Sequence, residues 1–291
     1  MLLQQIVNGI TIGSTYALVA IGFTMIFGVL ELTNFSNSSL YMFGAYVTYL
    51  LYGTGIQFFA AFALSVVLTG LLGYSIDRFA LRQLRKKRAP KLSGLITTLG
   101  MSMVIDNAIM VFCGTDSKSF HNYLDFGKIY VGDAIITWTQ IIILAVGFTL
   151  MIALSIIVYK TKIGKAMTAI AQNQDAAKLM GIDTNRVISL TFIISGFLAC
   201  IAGTMVAMYY SSIETTMGSS IGTKIFAAAI LGGVGVLPGA VVGGLVLGVV
   251  ETMVSAYISM GYRDAISFTV LIIVLLIMPN GMFGKKAINK V

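Results

Sequence analysis

Charged side chains are scarce in this sequence. Asp, Glu, Lys and Arg make up 10% of its 291 residues, hydrophobic residues make up 57%, and the mean hydropathy is +0.93. A soluble globular domain carries about 25% charged residues, so this chain is not one. A helix needs about 20 apolar residues to cross about 30 Å of hydrocarbon, and the sequence has about eight such stretches. We therefore predict an all-α, polytopic integral membrane helical bundle, a single domain over residues 1–291, with broken or half-helices among about eight transmembrane helices.

Histidine and cysteine are almost missing. There is one His, His121, and two Cys, Cys113 and Cys200, which both lie in apolar stretches. Metal centres and Ser-His-Asp sites depend on such residues, and the sequence contains no G-x-x-x-x-G-K-[ST] phosphate-binding motif. We therefore expect no catalytic site, no metal site and no bound cofactor. Any step driven by a nucleotide would belong to a partner protein.

The basic residues are concentrated in three segments, which hold 15 of the 19 Lys and Arg. The positive-inside rule places all three segments in the cytoplasm. The net charge of +8 then indicates contact with anionic membrane lipid, not with nucleic acid. The basic residues of the segments are Arg78, Arg82, Arg85, Lys86, Lys87, Arg88 and Lys91, then Lys160, Lys162, Lys165, Lys178 and Arg186, and finally Lys285, Lys286 and Lys290.

These cytoplasmic segments fix the order of the crossings. Helices 92–113 and 139–159 leave and re-enter the cytoplasm, and helix 187–210 leaves it again. Region 222–260 must then cross twice or not at all. Because the run Gly232–Gly244 divides it, we predict a half-helix, a glycine turn and a full helix. Three crossings before residue 80 place the N-terminus outside, and the second of them is short for a full span. The remaining apolar stretches are 5–30, 38–52, 56–80 and about 265–279.

Two parts of the chain share a pattern. Helix 5–30 is followed by the polar break LTNFSNSS and a small-residue-rich helix, and helix 187–210 is followed by SSIETTMGSS and AAAILGG. The two long helices run in opposite directions, so the pattern predicts an inverted repeat, which in many transporters builds a pathway at the repeat interface. The alternative is chance similarity among glycine-rich helices.

Several polar residues lie within apolar stretches, where they are costly and often functional. Lys224 opens the half-helix and Glu251 lies inside the following helix, so the two can form an ion pair. These residues are candidates for lining a polar translocation pathway, and the alternative is a structural network of hydrogen bonds between helices. The full set of candidates is Asn8, Thr11, Thr15, Asn34, Asn37, Lys224 and Glu251.

The longest polar interruption, GKAMTAIAQNQDAAKLMGID, lies between Lys160 and Arg186. We predict one helix from Gly164 to about Gly181, with Gly181 as its C-terminal cap. Its apolar stripe, which includes Met167 and Ile170, is expected to seat in a groove of a cytoplasmic partner. The alternative is a helix that lies on the lipid headgroups.

Four blocks of the sequence resemble the permeases of the branched-chain amino-acid (leucine/isoleucine/valine) ABC import family. They are NGITIGSTYALVAIGFTMIFGVLELTNFS followed by YMFGAY, GKAMTAIAQNQDAAKLMGIDTNRVISLTF, AAAILGGVGVLPGAVVGGLVLG, and MPNGMFG. The resemblance covers essentially the whole chain. It implies a multi-pass subunit of the bacterial plasma (inner) membrane that pairs with a second, related permease, two cytoplasmic ABC ATPase subunits and an extracytoplasmic substrate-binding protein.

The resemblance also implies that segment 164–181 is the coupling helix that contacts an ATPase. The residues expected to make this contact are Gly164, Ala166, Met167, Ala169, Ile170, Asn173, Asp175, Ala177 and Gly181. One departure concerns the first break, where family members commonly have Asn-Phe-Ala-His-Gly-Glu. This chain has Asn34-Phe35-Ser36-Asn37-Ser38-Ser39 instead, so a role of that His and Glu does not transfer to it.

Two alternatives stay open at this stage. Related permeases transport urea, amides, nucleosides or sugars, so the solute is not fixed by the resemblance. An ion-driven secondary transporter would use Asp106 and Glu251 as its coupling carboxylates and would act without an ATPase.

Overall fold

The computed structural model describes residues 2–30, 32–87, 89–123, 127–131 and 134–284. Arg88, Lys285, Lys286 and Lys290, which belong to the predicted cytoplasmic segments, lie outside the described residues. As predicted, the described chain is an all-α bundle, and it also contains two small antiparallel sheets that were not predicted. Its helices are α1 (Leu2–Leu30), α2 (Ser36–Gly53), α3 (Phe58–Ser75), α4 (Arg82–Lys86), α5 (Lys91–Cys113), α6 (Trp138–Lys160), α7 (Lys162–Gln172), α8 (Gln174–Leu179), α9 (Thr184–Tyr210), α10 (Met217–Gly232), α11 (Leu237–Tyr257) and α12 (Arg263–Ile277).

Seven helical stretches of the described chain are long and apolar enough to cross a membrane. They comprise α1, the continuous helix Phe58–Lys86, α5, α6, α9, α11 and Met260–Ile277. Helix α10 is shorter, with 16 residues, and α2 has only 18 with a polar beginning. Seven spans and two partial helices agree with the predicted bundle of about eight transmembrane helices with half-helices among them.

Helix α2 begins partway along the bundle. The side-chain amide of Asn37, in its first turn, donates to the Val19 carbonyl oxygen at 3.4 Å. Val19 lies 11 residues before the end of α1, which at 1.5 Å per residue is about 16 Å from that end. The chain after α1 therefore runs back along the bundle before α2 starts, and 38–52 is a partial element.

Helix α10, like α2, begins partway along the bundle and not at the end of the long helix before it. Gly218, in its first turn, packs against Ser38 and Met42 of α2, so α10 also starts away from the end of α9. The connection includes strand β4 (Ser212–Ile213), which pairs with β1 (Lys118–Ser119). A second hairpin, β2 (Lys128–Val131) with β3 (Ala134–Thr137), precedes α6 on the same side.

Helix packing follows the pattern that an inverted repeat requires. Helix α1 packs on α10 and antiparallel on α11, whereas α9 packs on α2 and antiparallel on α3. The partial helices also correspond, because α2 packs on α3 as α10 packs on α11. Helices α1 and α9 are antiparallel to each other. Gly22 packs against Ser195, and the earlier Tyr16 is linked to the later Tyr210 by Arg263, which donates hydrogen bonds to both hydroxyls.

Glycine allows α1 and α11 to approach closely. A Cβ atom on Gly13 would lie 2.8 Å from the Leu245 Cα atom, and one on Gly248 would overlap the Gly13 backbone. Small residues at such contacts bring helix backbones together in membranes, where the hydrophobic effect does not drive association. Helix α1 lies at the centre of the bundle, because 89% of its most apolar stretch is buried.

The cytoplasmic segment differs from the single helix predicted over 164–181. It forms two helices, α7 and α8, which are interrupted at Asn173. The backbone of Asn173 is extended, and its side-chain oxygen accepts hydrogen bonds from the Asp175 and Ala176 amides at 3.0 Å. Asn favours this N-cap geometry over the helix interior, which explains the break. Gly181 follows α8 with φ = +82°, in agreement with its predicted capping role.

Candidate functional site

Helix α10 exposes a polar face. Thr216, immediately before it, and Ser219, Ser220 and Thr223 are all exposed in the described chain. The corresponding residues of α2, Ser36 to Ser39, are buried instead. Polar side chains in a membrane segment avoid lipid and face a water-filled cavity or protein. This face of α10 is therefore suited to a polar pathway.

A cluster of four charged residues lies beside this face. The Lys224 ammonium on α10 forms ion pairs with Glu251 on α11 and with Asp264 on α12, the latter at 3.0 Å. The Arg263 guanidinium also pairs with Glu251, which is fully buried. The expected Lys224–Glu251 pair is therefore present. Within the cluster, Glu251 pairs with two cations, Lys224 and Arg263.

Two tyrosines complete the cluster. The Arg263 guanidinium donates to the hydroxyl oxygens of Tyr16 on α1 and Tyr210 on α9, each at 3.4 Å. A guanidinium has five N–H donors in a planar fork, so Arg263 can join Glu251 to both hydroxyls. The cluster thus connects α1, α9, α10, α11 and α12 at one level of the bundle.

A cavity of about 330 Å³ opens next to the cluster. Ligand pockets for small molecules have volumes of about 300–1,000 Å³, so this one fits a small solute. It lies at the Tyr210 end of α9, opposite the basic cytoplasmic segments, and is therefore on the outer side. Its wall combines cations with apolar and aromatic side chains: Ile12, Tyr16, Tyr41, Val206, Tyr210, Ser212, Glu214, Thr216, Met217, Ser220, Ile221, Lys224 and Arg263.

The other predicted pathway residues on α1 lie elsewhere. The Asn8 side-chain oxygen accepts hydrogen bonds from Gln4 and from Gln140 of α6, at 3.1 and 2.8 Å. Thr11 and Thr15 are buried and donate to carbonyl oxygens of their own helix. It is their neighbours on α1, Ile12 and Tyr16, that line the cavity.

The asparagines of the first break are buried, and their side-chain oxygens accept hydrogen bonds. The Asn34 side-chain oxygen accepts from the Ser36 amide and hydroxyl, and Ser195 of α9 donates to the Asn37 oxygen at 2.7 Å. Asn37 therefore joins α1, α2 and α9. Of the predicted pathway set, the structure brings only Lys224 to the wall of the outer cavity, and Glu251 is buried behind it as its ion-pair partner.

Arg263, Tyr16 and Tyr210 were missed by the sequence prediction. Arg263 had a usable signal, because it is one of the four basic residues outside the three cytoplasmic segments. The tyrosines had none, since they are 2 of 13 Tyr in a chain rich in aromatic residues.

The predicted coupling residues divide into three groups by burial. Met167 and Ile170 of α7 and Ala177 of α8 are each at most 4% exposed, and they pack against the bundle. Gly164 is buried against the Val158 carbonyl at the turn from α6. Ala166 and Ala169 are half-buried. The remaining residues are exposed: Asn173, Asp175 and Gly181. Of the predicted apolar stripe, Met167, Ile170 and Ala177 therefore face the chain's own helices, whereas Ile163 and Met180 are exposed.

The exposed apolar surface of this segment is the tip after α8. Leu179 is 89% exposed and Met180 is 83% exposed, directly before Gly181. These two neighbouring side chains form a small exposed apolar surface at this end of the bundle.

A second buried charge lies near this segment. Asp77, in the π-helical stretch Ile76–Leu81, is fully buried and pairs with Arg85 at 2.7 Å. The Ser189 hydroxyl of α9 donates to the other Asp77 oxygen at 2.6 Å. Asp77 thereby connects Arg85, in the basic segment 78–91, to the first turns of α9, which directly follow the segment that contains α7 and α8.

Residues 5–275 match the family model for the branched-chain amino acid transport system permease component. The chain belongs to this family. The match covers the crossings, the outer cavity and the cytoplasmic segment alike. Together with its seven apolar helices, family membership makes the chain a multi-pass inner-membrane protein.

Individual relatives agree over nearly the full length. The chain is 39% identical to the high-affinity branched-chain amino acid transport system permease protein LivH of Escherichia coli (strain K12), covering 99% of this chain and 97% of that protein. It is 38% identical to BraD of Pseudomonas aeruginosa, with 99% and 98% covered. Identity to the ribose import permease protein RbsC of Haemophilus influenzae is 26% over 67% of this chain and 62% of that one.

Among solved structures, "PsaBC from Streptococcus pneumoniae in complex with Fab" covers 97% of this chain and 92% of that one. Its identity is 16% and its TM-score is 0.45. This likeness is too weak to bear on fold or function.

Proposed function

We propose that this chain lines the translocation pathway of an ATP-driven importer for branched-chain amino acids. The observation that carries the proposal is the outer cavity, which sets Lys224 and Arg263 beside apolar residues such as Ile12 and Val206. An amino acid with an aliphatic side chain presents a carboxylate and an apolar group, and the two kinds of wall match them. The polar face of α10 continues from this cavity.

Family membership supports the rest of the assembly. The partners we propose are a second, related permease, two cytoplasmic ATPase subunits and an external binding protein that delivers the solute. ATP binding would shift the population between outward-open and inward-open arrangements of the bundle.

A sugar is the second solute to consider, because the chain is similar to RbsC, a ribose import permease. Ribose has no carboxylate to pair with Lys224 or Arg263, so the cavity favours an amino acid. An ion-driven mechanism is less well supported, because a coupling carboxylate must be free to take up its cation. Glu251 is instead held by two cations of the protein.

The test is reconstitution in vesicles with the second permease, the ATPases and the binding protein. We expect uptake of labelled leucine that requires ATP and the binding protein and does not respond to a proton or sodium gradient. Uptake by this chain alone, driven by such a gradient, would contradict the proposal.

We further propose that the exposed tip at Leu179 and Met180, not the buried stripe, makes the main contact with an ATPase. Leu179→Asp places a charge in that contact without disturbing the bundle, since Leu179 is 89% exposed. We expect at least a tenfold loss of solute-stimulated ATP hydrolysis. Tyr130→Asp, at a residue 72% exposed on the outer hairpin, is the matched control and should retain full activity. Equal activity of the two variants would refute this assignment.

A further inference from the structure

Lys224 is shared between two carboxylates of very different exposure. Its ammonium pairs with Glu251, whose side chain has no exposure, and with Asp264, whose side chain is 60% exposed. Lys224 itself is 13% exposed and lines the outer cavity. One of its two partners is therefore fixed inside the bundle, and the other reaches it from the solvent side.

Asp264 lies on a helix that is exposed along most of its length. It lies in the first turn of α12, where Ser267 is the only buried residue between Arg263 and Ile277. The turn before it exposes Met260 and Tyr262, at 78% and 62%. Because the Asp264 side chain is 60% exposed, water can replace most of the contact that its carboxylate loses when it leaves Lys224.

The charges of the cluster favour the departure of Asp264 when another carboxylate takes its place on Lys224. Lys224 and Arg263 are balanced by Glu251 and Asp264. A solute carboxylate that entered beside Asp264 would lie close to two other carboxylates in a partly desolvated site, which is unfavourable. A solute carboxylate that replaces Asp264 on Lys224 avoids this repulsion, because Asp264 is then hydrated outside.

We propose that Asp264 occupies the place of the solute's carboxylate on Lys224 and is displaced when an amino acid enters the outer cavity. This inference rests on the proposed function. The bound carboxylate lies on Lys224 near Arg263, and the aliphatic side chain packs against Ile12, Val206 and Ile221. Glu214, which is exposed and also lines the cavity, is placed to receive the ammonium group.

The experiment measures equilibrium binding of labelled L-leucine to the purified complex of this chain with its partner permease and ATPases, without binding protein. Asp264→Asn frees Lys224 from its competitor and leaves the Lys224–Glu251 pair in place. We expect leucine to bind up to about fivefold more tightly, as loss of an exposed competing pair predicts. Lys224→Gln removes the anchoring cation and should weaken binding at least tenfold, since a hydrogen bond to a charged group is lost.

Matched controls exist on the outer side. Asp116→Asn and Lys128→Gln change exposed residues of the same types away from the cavity, and both should bind leucine as the unchanged protein does. Two analogues separate the chemistry. 4-Methylpentanoate keeps the carboxylate and should also bind more tightly to Asp264→Asn, whereas leucinol lacks it and should not distinguish the variants.

The outcomes are separable. Weaker or unchanged leucine binding by Asp264→Asn overturns the inference, and so does the absence of any binding to the unchanged complex. If the unchanged complex imports leucine with ATP in either case, the proposed function stands. If Lys224→Gln does not fold, Asp264→Asn still decides, because it leaves the buried ion pair intact.

Discussion

At the scale of single residues, the fully buried Glu251 has the most demanding environment. Its carboxylate would be strongly unfavourable in a membrane interior without partners. Lys224 and Arg263 provide them from two other helices. The three charges are therefore stable only together, and each explains why the others are tolerated in apolar parts of the sequence.

Glu251→Gln should destabilise the protein markedly. The change leaves Lys224 and Arg263 close together without the anion between them, and loss of one member of a buried pair costs about 3–5 kcal/mol. We expect a lower thermal unfolding midpoint of the purified protein in detergent. Asp264→Asn is the control, since the Asp264 side chain is 60% exposed and its loss leaves Lys224 paired with Glu251, so this variant should lose much less stability. Equal midpoints for the two variants would contradict the central role of Glu251.

At the scale of helices, single residues decide where an element ends and how closely two elements pack. Asn173 breaks the cytoplasmic segment because its side chain satisfies the first amides of α8. That break turns Met167 and Ala177, which lie on different helices, toward the bundle and leaves Leu179 at the tip. Amphipathicity identified the apolar residues correctly, and tertiary packing decided what they contact.

Gly248→Ala should weaken the packing of α1 on α11. A Cβ atom at this position would overlap the backbone of Gly13, which cannot rotate away as a side chain can. Overpacking of this kind costs about 1–3 kcal/mol. The measurement is thermal unfolding in detergent.

Gly53→Ala is its matched control. Gly53 ends α2, and an added Cβ atom would meet nothing within 4 Å. Ala is favoured over Gly in a helix by up to about 1 kcal/mol, so this variant should be as stable as the unchanged protein or slightly more so. A Gly53→Ala variant that loses as much stability as Gly248→Ala would argue against a specific α1–α11 contact.

At the scale of the whole molecule, the charge pattern predicts which side each end of the bundle faces. Leu179 lies with the basic segments, and Tyr130 lies on the outer hairpin. In a background with Cys113→Ala and Cys200→Ala, a membrane-impermeant thiol reagent added to intact cells should label Tyr130→Cys. It should label Leu179→Cys only after the membrane is opened. The reverse result would invert the topology and remove the outer cavity from the external face.

The inverted repeat gives the bundle its two partial helices but not two equal sites. Helix α2 buries its serines and asparagines in hydrogen bonds with α1, α5 and α9. Helix α10 leaves its serines and threonines exposed. The two halves share a packing pattern, and of the two partial helices α10 is the one that exposes a polar face.

Hydropathy and charge, which can be read directly from the sequence, indicated the membrane class of this protein and the order of its crossings. The shortage of charged residues indicated a membrane protein, and the three basic segments predict the order of crossings, because lipid and the positive-inside rule act on each segment separately. Four sequence blocks indicated the family, which the match over residues 5–275 confirmed.

The outer cavity was decided only by tertiary structure. Glu251, Arg263 and Tyr16 are far apart in the sequence, and the packing of α11, α12 and α1 brings them to one place. Burial also separated the pathway candidates, because Thr15 and Asn37 carry the same kinds of polar group as residues of the cavity but are satisfied by their neighbours. A polar side chain's role depends on which groups surround it, and those groups come from helices that the sequence does not place side by side.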